Sequence, residues 1–342
     1  MFPYYRLLAA SLAATLLVAA AAELCLGPVH VPLGVVAETL IHPLRAPSSD
    51  PLALVIINLR LPRLLLAVAA GAALAQAGAA MQALYRNPLA EPGIAGVSGG
   101  SALAAALVFA GTISVNRADL TPYLLPLAAL TGGAVAALLI TKLARVDGQT
   151  RTGALLLGGI AINAIAGAGI GWISLHVNSD ALRSYLAWAY GDLGRASWPE
   201  LAVAVPLLMV ASIGSLRDAR RLDALLLGDA EARHLGVPVE SLKRRLLAYA
   251  VLAAAATAAA AGPIGFIGLI APHLARMLFG ALHRRLLPLA ALMGATLLTT
   301  SDLAARLVML PSELPVGLLT ALLGGPFFLA LLAARRRVED EP

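Results

Sequence analysis

A chain of 342 residues with 60% apolar and 13% charged side chains and a mean hydropathy of +0.84 is too poor in charge for a soluble domain, in which about a quarter of residues are charged. Spans of about 20 apolar residues joined by short connections use up the length, which predicts one all-α, polytopic membrane domain over 1–342 with about ten transmembrane helices. The formal charge of +6 reflects topology, as shown below, and requires no nucleic-acid partner; the single cysteine, Cys25, excludes an internal disulfide.

Apolar runs place spans near 7–26, 64–84, 94–114, 123–143, 152–173, 198–216, 246–261, 264–280, 287–310 and 316–334. With the amino terminus inside, Arg6, Arg86, Lys142, Arg145, Arg151, Arg233, Arg276 and the clusters at 217–221, 243–245, 284–285 and 335–337 fall on the inner side. Arg45, Arg60, Arg63, Arg117, Arg183, Arg195 and Arg306 remain outside. This division, 18 against 7, predicts an even number of spans and two cytoplasmic termini. The first run also fits a cleaved signal peptide, since Arg6 precedes it and Ala20, Ala21 and Ala22 close it; cleavage would make the number of spans odd.

Arg60 and Arg63 bracket Pro62 at the outer end of the second span, where long cationic side chains can snorkel. After that span, Arg86-Asn87-Pro88-Leu89-Ala90-Glu91-Pro92-Gly93 sets polar residues, two prolines and a glycine between apolar runs. Irregular backbone at membrane depth survives only where protein covers it or where it lines a wet path, so this break predicts a path through the membrane. Asn87 also fits as a turn cap ahead of Pro88.

Farther along, 174–197 collects Asp180, Arg183, Tyr185, Trp188, Tyr190, Asp192 and Arg195, as an interfacial belt would. The largest polar interruption is 217–245. There Asp229 is placed to cap a short helix holding Glu231, Gly236 to end it and Pro238 to open a second short helix, which makes either a docking knob or a plain inter-helix loop. Gly262, Pro263, Gly265, Gly268 and Pro272 interrupt the two short runs that follow, the pattern of close-packed or discontinuous helices. Asp302 is read as the only acidic residue well inside a span, one turn from Arg306, its expected partner. The six histidines include no pair one helical turn apart, so no metal site is expected.

Several of these segments, in this order, resemble permease subunits of ATP-binding-cassette importers for iron siderophores, haem and vitamin B12. The resemblance is carried by Leu59-Arg60-Leu61-Pro62-Arg63, the run from Gly71 to Gln82, Asn87 to Gly93 with Gly96-Val97-Ser98, and the helix expected over 228–236. It continues through Gly262 to Gly268 with Pro272-His273, and ends at Glu313-Leu314-Pro315-Val316-Gly317. It implies a homodimer of ten-span permeases in the inner membrane, two cytoplasmic ATPases below and a periplasmic binding protein above. It also implies that Arg60, Arg63 and Arg306 dock glutamates of the binding protein, a task that suits a guanidinium. Asn87 and Leu89 match positions that narrow the cytoplasmic end of the path, and Thr152 matches a second constriction; Gly153 departs from the hydroxyl residue often found next to it. Gly228, Asp229, Glu231, Ala232, Leu235 and Gly236 match the ATPase-coupling helix, and 174–197 resembles a short re-entrant helix at the periplasmic mouth. Glu231 to Val237 and Gly324-Gly325-Pro326-Phe327-Phe328 look most like haem permeases, with ferric siderophore and then vitamin B12 as alternatives.

The chain has no ATP-binding loop of its own. A Walker A turn ends in Gly-Lys-Ser/Thr, whereas the only lysines, Lys142 and Lys243, follow Thr141 and Leu242. The expected protein is therefore non-catalytic, holds no permanent cofactor, and takes its energy from ATP on a partner while haem passes as substrate. A gradient-driven transporter would need more intramembrane acids. An intramembrane hydrolase would need a base near Ser98 or Ser101, and neither has a histidine or aspartate in the same or adjacent spans.

Overall fold

The computed structural model describes residues 3–42, 50–113, 121–146, 149–150, 152–310 and 312–339. Arg45, Arg117 and Arg151 of the charge division lie outside the described residues. In lipid an apolar run satisfies its backbone amides by becoming helical, and the described residues form fifteen α-helices, one π and two 3-10 turns, and one hairpin of two-residue strands.

Helix α1 (Pro3–Cys25) is followed by α2 (Leu33–Ile41) and α3 (Pro51–Val55). Asp50 accepts a hydrogen bond from Leu52 N at 3.0 Å and Pro51 takes the first helical position, which sets the start of α3. A π turn over Ile56–Arg60 leads into α4 (Leu61–Tyr85), so one apolar helix runs unbroken over Pro51–Tyr85, 35 residues. At about 52 Å it exceeds the hydrocarbon core of about 30 Å, and the expected span 64–84 is only its inner part.

Next come α5 (Val97–Phe109) and α6 (Thr121–Leu143), the antiparallel pair Arg145–Val146 with Gln149–Thr150, α7 (Thr152–Ser174), α8 (Ser179–Ala189) and α9 (Trp198–Arg217). The chain continues through α10 (Ala219–Leu225), α11 (Asp229–His234), α12 (Val239–Ala261), α13 (Ile267–Phe279), α14 (His283–Val308) and α15 (Val316–Glu339). Among the described residues seven helices are long and apolar enough to cross a membrane, and shorter apolar helices at Val97–Phe109, Ile267–Phe279 and Val316–Ala330 bring the number to ten.

Two expected spans are shortened. Instead of 94–114 and 264–280, α5 and α13 have 13 residues each, about 20 Å of helix. The missing residues are spent on irregular backbone: the end of the 3-10 turn Pro92–Ala95 with Gly96 before α5, the turn from Ala110 to Ile113 after it, and Ile264 to Phe266 before α13. Pro238 opens the long α12 rather than a second short helix, because the apolar pattern beyond it continues uninterrupted to Ala261.

The centre of the bundle is α4 crossed by α14, α12 and α13. Small residues permit the approach. A Cβ on Gly71 would lie 2.4 Å from Gly294 O, and one on Gly78 would lie 1.7 Å from Gly268 O, so these helices meet backbone to backbone. Helix α8 begins where Asn178 Oδ1 accepts from Ala181 N at 2.8 Å, and it buries Tyr185 and Trp188. Asp192 N then donates to Ala261 O at 2.7 Å, which seats segment 174–197 on the end of α12.

Candidate functional site

Three regions hold the residues singled out by sequence: one end of the bundle, called outer after the charge division, the interior, and the opposite end, called inner. At the outer end Arg60, Arg63 and Arg306 are 4%, 6% and 3% exposed, so they do not snorkel. Arg63 is held by Asp302 through Nε at 2.6 Å and Nη2 at 3.0 Å, and its Nη1 donates to Glu313 Oε2 at 2.6 Å. Arg306 Nη2 donates to the Glu23 carbonyl at 2.7 Å and lies 3.1 Å from the Glu23 carboxylate. Arg60 donates to the Leu24 and Val29 carbonyls. The expected pairing of Asp302 with Arg306 is corrected: Asp302 turns to α4, and Arg306 turns to α1, where a second buried carboxylate waits. Glu23 therefore joins Asp302 as an acid inside a span, contrary to the sequence reading. A lone acid in the apolar run of α1 was the signal that could have found it. Arg60, Arg63, Arg306 and Glu313 line a cavity of about 380 Å³ with Leu59, Val29 and Gly194.

At the end opposite the three arginines, α4 stops on Arg86 in the left-handed conformation (φ 47°). Asn87 Oδ1 accepts from Leu89 N at 3.0 Å, so Asn87 does cap the turn, and both residues are half-buried. The chain then turns back into the bundle. Glu91 Oε2 accepts from Phe266 N at 3.2 Å, and Phe266, also left-handed (φ 67°), stands at the start of α13. One carboxylate thus ties the break before α5 to the break before α13 and satisfies an amide that a helix start leaves open. Glu91, Ser98, Thr257 and Gly265 line a cavity of about 140 Å³ together with Leu74. Leu74 precedes Tyr85 by eleven residues, about 16 Å along α4, roughly half the hydrocarbon thickness. Thr152 is the first residue of α7, and its side chain lies outside the described ones.

At the inner face, α11 begins at Gly228 (φ 109°) and ends before Gly236 (φ 79°), conformations that favour glycine. Asp229 is not its cap, as was expected. Its carboxylate turns sideways to Arg86 Nη2 at 2.9 Å and to Lys243, because two cations offer more than one backbone amide. Burial pushes the Asp229 carboxyl up, but Lys243 and Arg86 outweigh it and hold it below the usual carboxylate range. Ala232 is 0% exposed and packs on Leu222, Leu242 and Leu246 of its own chain, whereas Leu235 is 63% exposed beside Glu231 and His234. The face of α11 turned outward is therefore that of Leu235, with Leu226 and Leu227 exposed nearby.

A family model, the FecCD transport family, matches residues 14–334. The chain belongs to that family. Among FecCD relatives, a hemin transport system permease of Yersinia pestis is 47% identical over 82% of this chain and 83% of its own. An Fe(3+) dicitrate transport system permease of Escherichia coli is 42% identical over 82% and 86%. A cobalamin import system permease of Halobacterium salinarum is 39% identical over 86% and 77%. A metal-chelate type ABC transporter solved in an inward-facing conformation superposes with a TM-score of 0.80 at 30% identity, covering 96% of this chain and 99% of that one. As a FecCD protein the chain is a multi-pass membrane transport component, and the ten apolar helices among its described residues are the frame of that role.

Proposed function

We propose that this FecCD chain is the permease subunit of an inner-membrane importer, that it works as a homodimer, and that it passes haem inward by alternating access. The observation that carries the reading is the 47% identity to the hemin permease over most of both chains. The motor is a pair of ATPases on separate subunits, seated against the outward face of α11, and both termini of the permease are cytoplasmic. A periplasmic binding protein delivers haem to the outer cavity. Arg60 supports that role, since its guanidinium is buried at a cavity wall, among the described residues has the Leu24 and Val29 carbonyls as hydrogen-bond partners, and offers an entering carboxylate a charged contact.

In this reading the path runs between the two permeases. Asn87 and Leu89 close its cytoplasmic end, and Thr152 at the head of α7 forms the second constriction. ATPase movement reaches the gate by a short route: Asp229 in the first turn of α11 is ion-paired to Arg86, the residue before Asn87. Gly228 and Gly236 set the ends of that helix, Glu231 and Leu235 face the motor, and Ala232 roots the helix in the permease. The FecCD relatives named for dicitrate and cobalamin make ferric siderophore and vitamin B12 the competing cargoes. Reconstitution with the ATPase and binding protein, followed by uptake of haem, a ferric siderophore and cobalamin, tests the assignment. Haem uptake that depends on ATP is expected, and uptake of cobalamin alone would overturn it.

A further inference from the structure

The outer cavity already contains a carboxylate where a docking partner would place one. Arg63 has three sets of hydrogen-bonding N–H groups. Nε and Nη2 are committed to Asp302, a buried neighbour on α14, and only Nη1 faces outward. Glu313 takes it. Its carboxylate is 35% exposed at the rim while Arg63 sits beneath, and its loop is pinned to α14 by Leu314 N donating to Ala305 O at 3.2 Å. The neighbouring turn is built to let the pair form: a Cβ on Gly194 would stand 3.3 Å from Arg63 Nη1 and 3.4 Å from Glu313 Oε2.

Three guanidiniums, Arg60, Arg63 and Arg306, meet the carboxyl groups of Glu23, Asp302 and Glu313, and Asp192 Oδ1 borders the same turn at Gly194. Glu23 and Asp302 are buried within spans and cannot leave without stranding a charge. Glu313 is on a loop at the rim and can. If it swings out, Arg63 Nη1 offers one free pair of donors, which is the requirement of a single incoming carboxylate.

We propose that Glu313 is an internal surrogate for the binding protein's carboxylate, displaced when the partner docks and returning when it departs. This rests on the reading of the outer cavity as the docking site. Exchange of one carboxylate for another keeps Arg63 paired throughout, so release never has to expose an unpaired buried charge. Glu313 therefore speeds dissociation, at the expense of affinity, in a cycle that must shed its binding protein at each turn.

The test is binding of the haem-free binding protein to the permease–ATPase complex in lipid nanodiscs, with association and dissociation followed separately. Glu313→Gln should tighten binding about fivefold, the scale of one partly exposed ion pair, with most of the change in the dissociation rate. Glu313→Asp, which keeps the charge but shortens the reach to Arg63, should tighten it less, and it serves if the glutamine variant folds poorly. Arg60→Ala should weaken binding. If Arg60→Ala weakens binding while Glu313→Gln weakens it or leaves it unchanged, Glu313 merely orients Arg63 and the surrogate role is overturned, with the docking reading intact. If Arg60→Ala leaves affinity untouched, the docking reading itself fails, and the surrogate with it.

Discussion

Gly78 illustrates how much a single position decides in this bundle. A methyl group there would meet Gly268 O at 1.7 Å and its carbonyl carbon at 2.5 Å, and backbone cannot yield as a side-chain tip can. Gly78→Ala should therefore destabilise the purified permease by about 1–3 kcal/mol, the range for overpacking a filled interior. Gly167→Ala on α7, where nothing lies within 4 Å, should not. Thermal unfolding in detergent compares the two, and equal midpoints would contradict the close crossing. At this scale the sequence was legible in part. The glycine density around 262–268 announced close approach, but not that Gly268 would face Gly78. The partner of Asp302 was misread because helical spacing identifies neighbours on one helix and is blind to Arg63, 239 positions away in the chain. Glu91 was passed over as one polar residue in a turn; its value lies in an amide of another helix, which no local pattern reveals.

Among the elements, α11 separates two functions that a sequence motif merges. Ala232→Asp would force a charge into the packing with Leu222, Leu242 and Leu246, so it should lower the permease's own unfolding midpoint. Leu235→Asp alters an outward face, so it should leave that midpoint unchanged and reduce copurification with the ATPase. A drop in midpoint for both would place Leu235 in the permease interior instead. Beside this helix, Asp218 joins the end of α9 to α12. Burial raises its carboxyl pKa, but hydrogen bonds from Arg245 and Arg221 more than offset that and hold it below the usual carboxylate range. A lowered folded pKa means that the stabilising contribution is complete above the ordinary value of about 3.9 and is lost as pH falls through the lowered one. Unfolding midpoints should therefore drop on acidification below about pH 4, and Asp218→Asn should flatten that part of the profile. An unchanged slope in the variant would remove Asp218 as its source. The shortened α5 and α13 had been read as spans since hydropathy sums composition over a window. It cannot see that Ile94 to Gly96, Ala110 to Ile113 and Ile264 to Phe266 are irregular backbone.

For the whole molecule, the division of 18 basic residues against 7 predicts one orientation, with both termini cytoplasmic. A fluorescent protein fused after Pro342 should mature and fluoresce in cells, and alkaline phosphatase fused after Gly111, beyond α5, should be active. The reverse pair of results would invert the topology and move the arginine-lined cavity to the cytoplasm. Number and order of spans were readable because lipid imposes one rule on every crossing segment. The pairing of helices was not, since contacts between alanine- and glycine-rich surfaces leave little chemical signature. That same plainness has an evolutionary side. Crossings made backbone to backbone, as at Gly71 with Gly294, place no demand on the larger side chains that face the cavities. Substitution at those side chains can therefore alter what a cavity accepts without disturbing the crossings, and relatives named for hemin, dicitrate and cobalamin are 47%, 42% and 39% identical to this one chain.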